Sequence, residues 1–521
     1  MFETAELGRK VPKEAFEEAV PELRVQLLEL QQALRKADFP VIVLFSGVDG
    51  AGKGATVNLL NEWMDPRWIE TFAYLKASDE EQERPEFWRY WRDLPERGQF
   101  GLFLSAWYSP PFLDRVHDRI TDAEFDRRLD RIIAFERVLA DDGALILKFW
   151  MHLGKAAQKK RLKALEKDPL RSWRVTPVDW EHWRIYDRFV MAAEHTIRRT
   201  SFARAPWKIV EGADTNYRSL AVATIIRDAV SQRLNGGAVV ATAVDMEVGE
   251  QPEEAAVDSA IASLAPSLDR TVLTELDMSL TVSKEDYRRE LPKEQGRLNA
   301  LFRRARERGT SIVAVFEGWD AGGKGGAIRR FTQALDARDS RVIAIAAPTD
   351  EERAHNYLWR FWRHLGRSGR VTIFDRTWYG RVLVERVEAF ASEGEWRRAY
   401  TEINEFERQL TEFGIVLVKF WLHITPEEQL RRFEERQTIE YKQWKLTDED
   451  WRNRERWDLY ERAVQEMVER TSTLDAPWTL VEGNCKRFAR LKVLRTVSEA
   501  LEKAQTGTKS IAPKKKKKKK D

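Results

Sequence analysis

Cysteine is nearly missing from this chain of 521 residues: Cys485 stands alone. A single thiol excludes an internal disulfide framework and fits a reducing compartment. Runs of about 18 apolar residues are also missing, so no membrane-spanning helix is expected. Met1 to Glu6 shows no basic segment followed by an apolar run, so no secretion signal is expected either; the expected location is the cytoplasm, without a membrane partner. No histidines or cysteines stand at a spacing suited to zinc. A net positive charge is missing outside the end of the chain. The net charge is +3, and Lys514 to Lys520 with Asp521 supply +6 of it, which leaves −3 for the rest. A body of that balance is not a general nucleic-acid binder, and no nucleic-acid partner is expected. A run of seven lysines cannot fold by itself; it reads as a solubilising tail that would also attract any polyanion weakly.

What is present is ample for packed cores, with 43% hydrophobic and 33% charged residues. It is also repeated. The loop Gly-x-Asp-x-x-Gly-Lys-Gly is written at Gly47 to Gly54 and again at Gly318 to Gly325. One offset of 271 residues carries Lys53 onto Lys324, Trp107-Tyr108 onto Trp378-Tyr379, His152 onto His423, Trp173 onto Trp444 and Trp207 onto Trp478. A period that long means a duplicated domain, not a solenoid. The expected organisation is a first domain over 1–234, a linker over 235–267 without aromatics, a second domain over 268–505, and a lysine tail over 506–521.

Each half begins with an amphipathic segment, Lys13 to Leu34 and Lys284 to Arg308, and then alternates strand and helix signals. Strands are expected at 40–46, 100–105, 144–150 and 207–211, and at 311–316, 341–346, 371–375, 415–421 and 478–482. Runs such as Ile415-Val416-Leu417-Val418 suit parallel strands covered on both faces. The fold class is therefore α/β, and sites in such folds lie at the carboxyl ends of the strands.

The repeated loop sits at such an end. A glycine-rich turn between strand and helix lets successive backbone N–H groups converge on phosphate oxygens, while Lys324 adds a full positive charge. The residue after the lysine is Gly325, where nucleotide hydrolases carry a hydroxyl that reaches magnesium. Asp320, inside the loop, is the candidate to compensate, and with Asp375 at the end of a later strand it would form a two-carboxylate site for a hard cation. That strand reads Phe374-Asp375-Arg376 in the second half and Phe103-Leu104-Ser105 in the first, so the metal carboxylate survives only once.

These residues resemble the polyphosphate kinase type 2 family, in its two-domain form. The marks are Gly318-Trp319-Asp320-Ala321-Gly322-Gly323-Lys324-Gly325, Pro348-Thr349-Asp350-Glu351-Glu352 leading to His355, Trp362-Arg363-His364, Phe374 to Arg381, and Gln443-Trp444-Lys445-Leu446-Thr447. The resemblance implies a P-loop kinase-like three-layer fold with a parallel sheet and a helical lid, duplicated in tandem. It implies transfer of a terminal phosphoryl group from inorganic polyphosphate to AMP, with Mg2+ and with Mn2+ as a substitute. The alternatives are a nucleoside diphosphate such as ADP as acceptor, an ATP-using nucleotide kinase, and a non-catalytic polyphosphate-binding protein. Self-association is left open.

Phosphoryl transfer depends on positioning and charge neutralisation, so cations and the metal site are the residues to assign. Lys324 and the loop glycines Gly318, Gly322, Gly323 and Gly325 are assigned to a phosphate, Asp375 to the metal, and Asp320 to the metal and to orienting the acceptor. By the resemblance, Arg376 and Arg381 are assigned to the nucleotide phosphate. On a lid expected from about Arg431 to Arg456, Arg432, Arg436, Lys442 and Lys445 are expected to touch the donor, and closing it would exclude water. His355 and His364 are expected to be structural. The first half keeps Asp49 and Lys53, but Leu104, Ser105 and Pro110 stand where Asp375, Arg376 and Arg381 stand. It is expected to be inactive, serving as a packing partner that holds polymer.

Overall fold

Val, Ile, Leu and Phe dominate the segments that become strands, and the strands pair only in parallel, with helices supplying the crossovers. In the computed structural model, residues 1–236, 271–439 and 448–507 are described. The linker from residue 237 on and the lysine run lie outside them. The first sheet contains β1 (Val41–Gly47), β2 (Ile69–Ala73), β3 (Phe100–Leu104), β4 (Leu145–His152) and β5 (Trp207–Glu211), ordered β2-β3-β1-β4-β5. The second contains β6 (Ile312–Gly318), β7 (Ser340–Ala344), β8 (Val371–Asp375), β9 (Val416–His423) and β10 (Trp478–Glu482), ordered β7-β8-β6-β9-β10. The two orders are the same, and so is the register: Phe45 pairs with Leu104 and Phe316 with Asp375.

The opening helices run Lys13–Leu34 and Lys284–Glu307. Strand β2 was not expected. It is a short edge strand whose side chains are mostly exposed, so Ile69-Glu70-Thr71-Phe72-Ala73 carries little periodic signal.

Two compact units result. Unit 1 comprises Met1–Ser78, Phe87–Val248 and Pro348–Trp359, and unit 2 comprises Asp79–Glu86, Gly249–Ala347 and Arg360–Asp521. Each unit thus takes in a short segment from the opposite half of the sequence. In unit 1, Arg97 N–H donates to Ala354 O at 2.8 Å and a ring nitrogen of His355 lies 3.2 Å from Leu94 O. In unit 2, Arg84 donates to Leu365 O at 3.0 Å and Arg367 pairs with Glu83. The core of unit 2 packs Leu298 and Phe302 of the opening helix, Phe316, Phe331, Phe420, and Val493 and Val497 of the closing helix Lys486–Gly507. This places the central strand β6 beneath helices and delivers its carboxyl end to the phosphate loop.

Candidate active site

Gly318 opens the loop with φ +146°, and a Cβ there would stand 2.5 Å from Leu422 O, so only glycine lets β6 lie this close to β9. Gly323 (φ +109°) caps the helix Lys324–Thr332, whose free N–H groups face the loop. A Cβ at Gly325 would meet nothing within 4 Å, so no protein atom requires glycine there. Lys324 Nζ donates to Gly318 O at 2.5 Å, folded back over the loop's own carbonyls.

Parallel pairing with β6 brings Asp375 next to the loop. Phe316 faces Asp375 across the ladder, and Arg376 N–H donates back to Phe316 O at 3.1 Å. Arg376 adopts φ +63°, a left-handed conformation uncommon for a side-chain-bearing residue, which turns the chain sharply at the sheet edge. Ser105 shows the same turn at φ +51°, so the bend belongs to the fold and not to the catalytic side chains. The half-exposed Arg376 guanidinium lies 3.4 Å from Asp320 Oδ1. The Asp375 carboxylate makes no hydrogen bond or ion pair among the described residues.

Below this edge, Trp378 Nε1 donates to Glu407 Oε1 at 3.0 Å, the Tyr379 hydroxyl donates to the same oxygen at 2.6 Å, and Lys419 donates to Glu407 Oε2 at 2.7 Å. Trp107, Glu136 and Lys148 form the matching cluster in unit 1. The cluster is buried in both units, and so anchors the strand ends wherever the fold occurs.

Three groups of the site escape the sequence reading. Glu317 is buried at the end of β6 and accepts from Thr377 Oγ1 at 2.7 Å; burial pushes its carboxyl up, and Thr377 and Lys324 draw it partly back. The first half has Ser46 and Ala106 at these positions. Asn453 Nδ2 donates to Asp320 Oδ2 at 2.9 Å and its Oδ1 accepts from Tyr460 at 3.1 Å. His182, one offset earlier, contacts Asp49 Oδ2 at 2.7 Å, and that match was the available signal. Trp319 stacks on Trp457 at 3.6 Å, joining the loop to the helix Trp457–Thr471.

Two expected ligand contacts are otherwise engaged. Arg432, expected to touch the donor, is buried and braces the loop instead: it donates to Ala321 O at 2.8 Å, to Gly483 O at 2.6 Å and to Glu428 at 2.6 Å. Arg381 is paired with Glu385 at 2.9 Å and Glu395 at 3.2 Å, which ties it to neighbouring helices. Arg436 lies half-buried on the lid helix Pro426–Thr438. Lys442 and Lys445 lie outside the described residues. His355 stacks on Trp359 at 3.9 Å in unit 1.

The loop, the strand-end Asp-Arg pair and the lid helices agree with a comparison that spans both halves: polyphosphate kinase 2 (PPK2) is the family whose model matches residues 10–236 and 281–509. The chain belongs to the polyphosphate kinase 2 family. It is 53% identical over 506 residues to a polyphosphate:AMP phosphotransferase of Pseudomonas aeruginosa, covering 97% of this chain and 99% of that one. A protein of that name from Acinetobacter johnsonii is 36% identical over 490 residues, with coverage of 92% and 96%. The crystal structure of a putative polyphosphate kinase 2 from Pseudomonas aeruginosa superposes with a TM-score of 0.85 at 49% identity, covering 98% of this chain and all of the other. The family model matches this enzyme once in each half, in keeping with the duplication.

Proposed function

We propose that this chain transfers the terminal phosphoryl group of inorganic polyphosphate to AMP, giving ADP and a polymer one phosphate shorter, and that the second half carries out the reaction. The reading rests above all on Asp320, Lys324, Asp375 and Arg376 meeting at one loop, in a chain 53% identical over nearly its whole length to a polyphosphate:AMP phosphotransferase.

An oxygen of the AMP phosphate attacks the terminal phosphorus of the polymer, the anhydride bond to the next bridging oxygen breaks, and that oxygen leaves as the new chain end. The attacking oxygen is already ionised, so no general base is needed. Lys324 and the loop amides hold phosphate oxygens, and Arg376 offers its guanidinium to the acceptor. Asp320, fixed by Asn453 on one oxygen and by Arg376 on the other, orients the acceptor side.

Asp375, with no protein partner among the described residues, fits a waiting cation. Two carboxylates without nitrogen or sulfur donors suit Mg2+, or Mn2+ as a substitute, with substrate oxygens and water completing the shell. When bound, the ion would neutralise charge on the phosphates. The lid's part is to exclude water, which would otherwise hydrolyse the anhydride.

The test is chromatographic separation of nucleotides after incubation with Mg2+ and long-chain polyphosphate, offering AMP, ADP or GMP in parallel. ADP from AMP is expected, with kcat reduced by about 10³ or more in Asp375→Asn. Product from ADP alone would move the acceptor up by one phosphate, and no product from any acceptor would refute the reading.

A further inference from the structure

The helix after β4 and the segment following it carry opposite charge in the two halves. Residues 155–184 contain nine Lys and Arg against four Asp and Glu, whereas the equivalent residues 426–455 contain seven against nine. Lys159, Lys163 and Lys167, exposed and without ion pairs among the described residues, stand where the second half has Leu430, Glu434 and Thr438. They recur every four residues on the helix Lys155–Lys167, about 6 Å apart along one face.

The first-half loop is held by the opposite side of the same helix, where Gln158 Nε2 donates to Asp49 O at 3.0 Å. Arg161 braces it through Gly50 O at 3.0 Å and Gly212 O at 3.1 Å, as Arg432 does in the other half, but Ala157 replaces the Glu428 that neutralises Arg432. A second guanidinium, Arg218, is 2% exposed and sits against the loop: a Cβ on Gly52 would stand 2.4 Å from its central carbon. It donates to Thr56 Oγ1 and Gly212 O at 3.1 Å each, and the second half has Ala489 in its place. Neither guanidinium has an ion pair among the described residues. The loop's own carboxylate, Asp49, is shared between His182 at 2.7 Å and Lys53 at 3.9 Å.

A buried guanidinium without a direct ion pair under a phosphate loop, together with a cationic helix face and no metal carboxylate, describes a site for a long polyanion. We propose that the first half is a metal-independent holding site for inorganic polyphosphate, with Lys53, Arg161 and Arg218 making the loop electropositive and Lys159, Lys163 and Lys167 receiving the chain. The proposal rests on polyphosphate being the donor of the reaction. It divides the labour between the halves: one retains polymer by charge, the other performs transfer.

Binding of long-chain polyphosphate to the full-length protein, at low ionic strength, with EDTA and without nucleotide, tests this. Lys159→Glu/Lys163→Glu/Lys167→Glu is expected to weaken binding at least about tenfold and to lower the dependence of log Kd on log salt by roughly two to three, as when phosphate contacts are lost from a polyanion. The control Lys284→Glu/Arg288→Glu/Arg303→Glu makes the same charge change on an exposed helix of the second half and is expected to cost far less. Unchanged binding in the first triple variant, or equal weakening in the control, would overturn the proposal. Should the glutamate variant fail to fold by circular dichroism, the glutamine triple is measured in its place. The lysine run is common to all variants and cancels. ADP formation by the parent is assayed separately, so a protein that binds polymer but makes no ADP would refute the catalytic reading and leave the holding site standing.

Discussion

His423 lies at the end of β9 with Nδ1 accepting from two indole N–H groups, Trp319 at 3.3 Å and Trp421 at 3.4 Å. Burial holds its pKa down at about 4, so the ring is neutral in the folded protein. Below about pH 6.5 the unfolded chain takes up a proton that the folded chain refuses, and stability falls until both are protonated near pH 4. The loss is about 3 kcal/mol across that window and roughly 2 kcal/mol by about pH 5. Urea unfolding at about pH 7 and about pH 5 checks this: the parent should lose about 2 kcal/mol more than His423→Gln on acidification, and parallel losses would exclude the effect. Single residues also mark where the sequence could be read and where it could not. Asp375 was legible because a strand-end carboxylate faces a leucine in the copy. The role of Arg432 was not, because its partners are main-chain carbonyls of residues 51 and 111 positions away, a feature of the folded chain that side-chain spacing cannot express.

At the scale of elements, the loop and the lid base are joined by Asn453 to Asp320 and by Trp319 to Trp457. Arg452 and Arg456 reinforce the joint through the buried Glu388, each at 3.1 Å. The lid is therefore registered to Asp320. Removing Asn453 leaves one Asp320 oxygen without its donor, and a lost hydrogen bond to a charged group costs about 1.5–3 kcal/mol. Asn453→Ala is expected to lower kcat by about tenfold or more and to shift the Mg2+ concentration needed for half activity, while Asn453→His, the residue unit 1 uses against Asp49, recovers most of both. Steady-state kinetics over a Mg2+ series makes the comparison, and equal loss in both variants would show that the position matters only for packing. The strands that build this joint were readable from their buried apolar runs. Strand β2 was not: its counterpart β7, an equally exposed edge strand, is marked by the apolar run Val342-Ile343-Ala344-Ile345-Ala346, whereas Glu70 and Thr71 interrupt β2.

Over the whole molecule, one sheet order and one register serve two halves of different chemical content. The first half lacks Asp375 and Arg376, and also Glu317, Thr377 and Arg381, replaced by Ser46, Ala106 and Pro110. Grafting Leu104→Asp with Ser105→Arg into an Asp375→Asn background is therefore expected to leave ADP formation below about 1% of the parent, since charge stabilisation distributed over several groups is not restored by two. Recovery above about a tenth would show that the rest of the first site is intact. The duplication itself was legible from the offset of 271, but the exchange of residues 79–86 and 348–359 was not, because each segment looks like its counterpart wherever it packs.

That exchange has a bearing on how the chain is made. A ribosome that has finished Val248 has supplied nearly all of unit 1 but not Pro348–Trp359, which follow about 100 residues later, some 5–20 s at ordinary elongation rates. During that interval the nascent unit presents the main-chain groups of Leu94 and Arg97 without their partners. Maturation of the first half is thus timed by translation of the second, and a synonymous change that slows decoding between residues 249 and 347 lengthens the period in which an incomplete unit is exposed to chaperones and proteases.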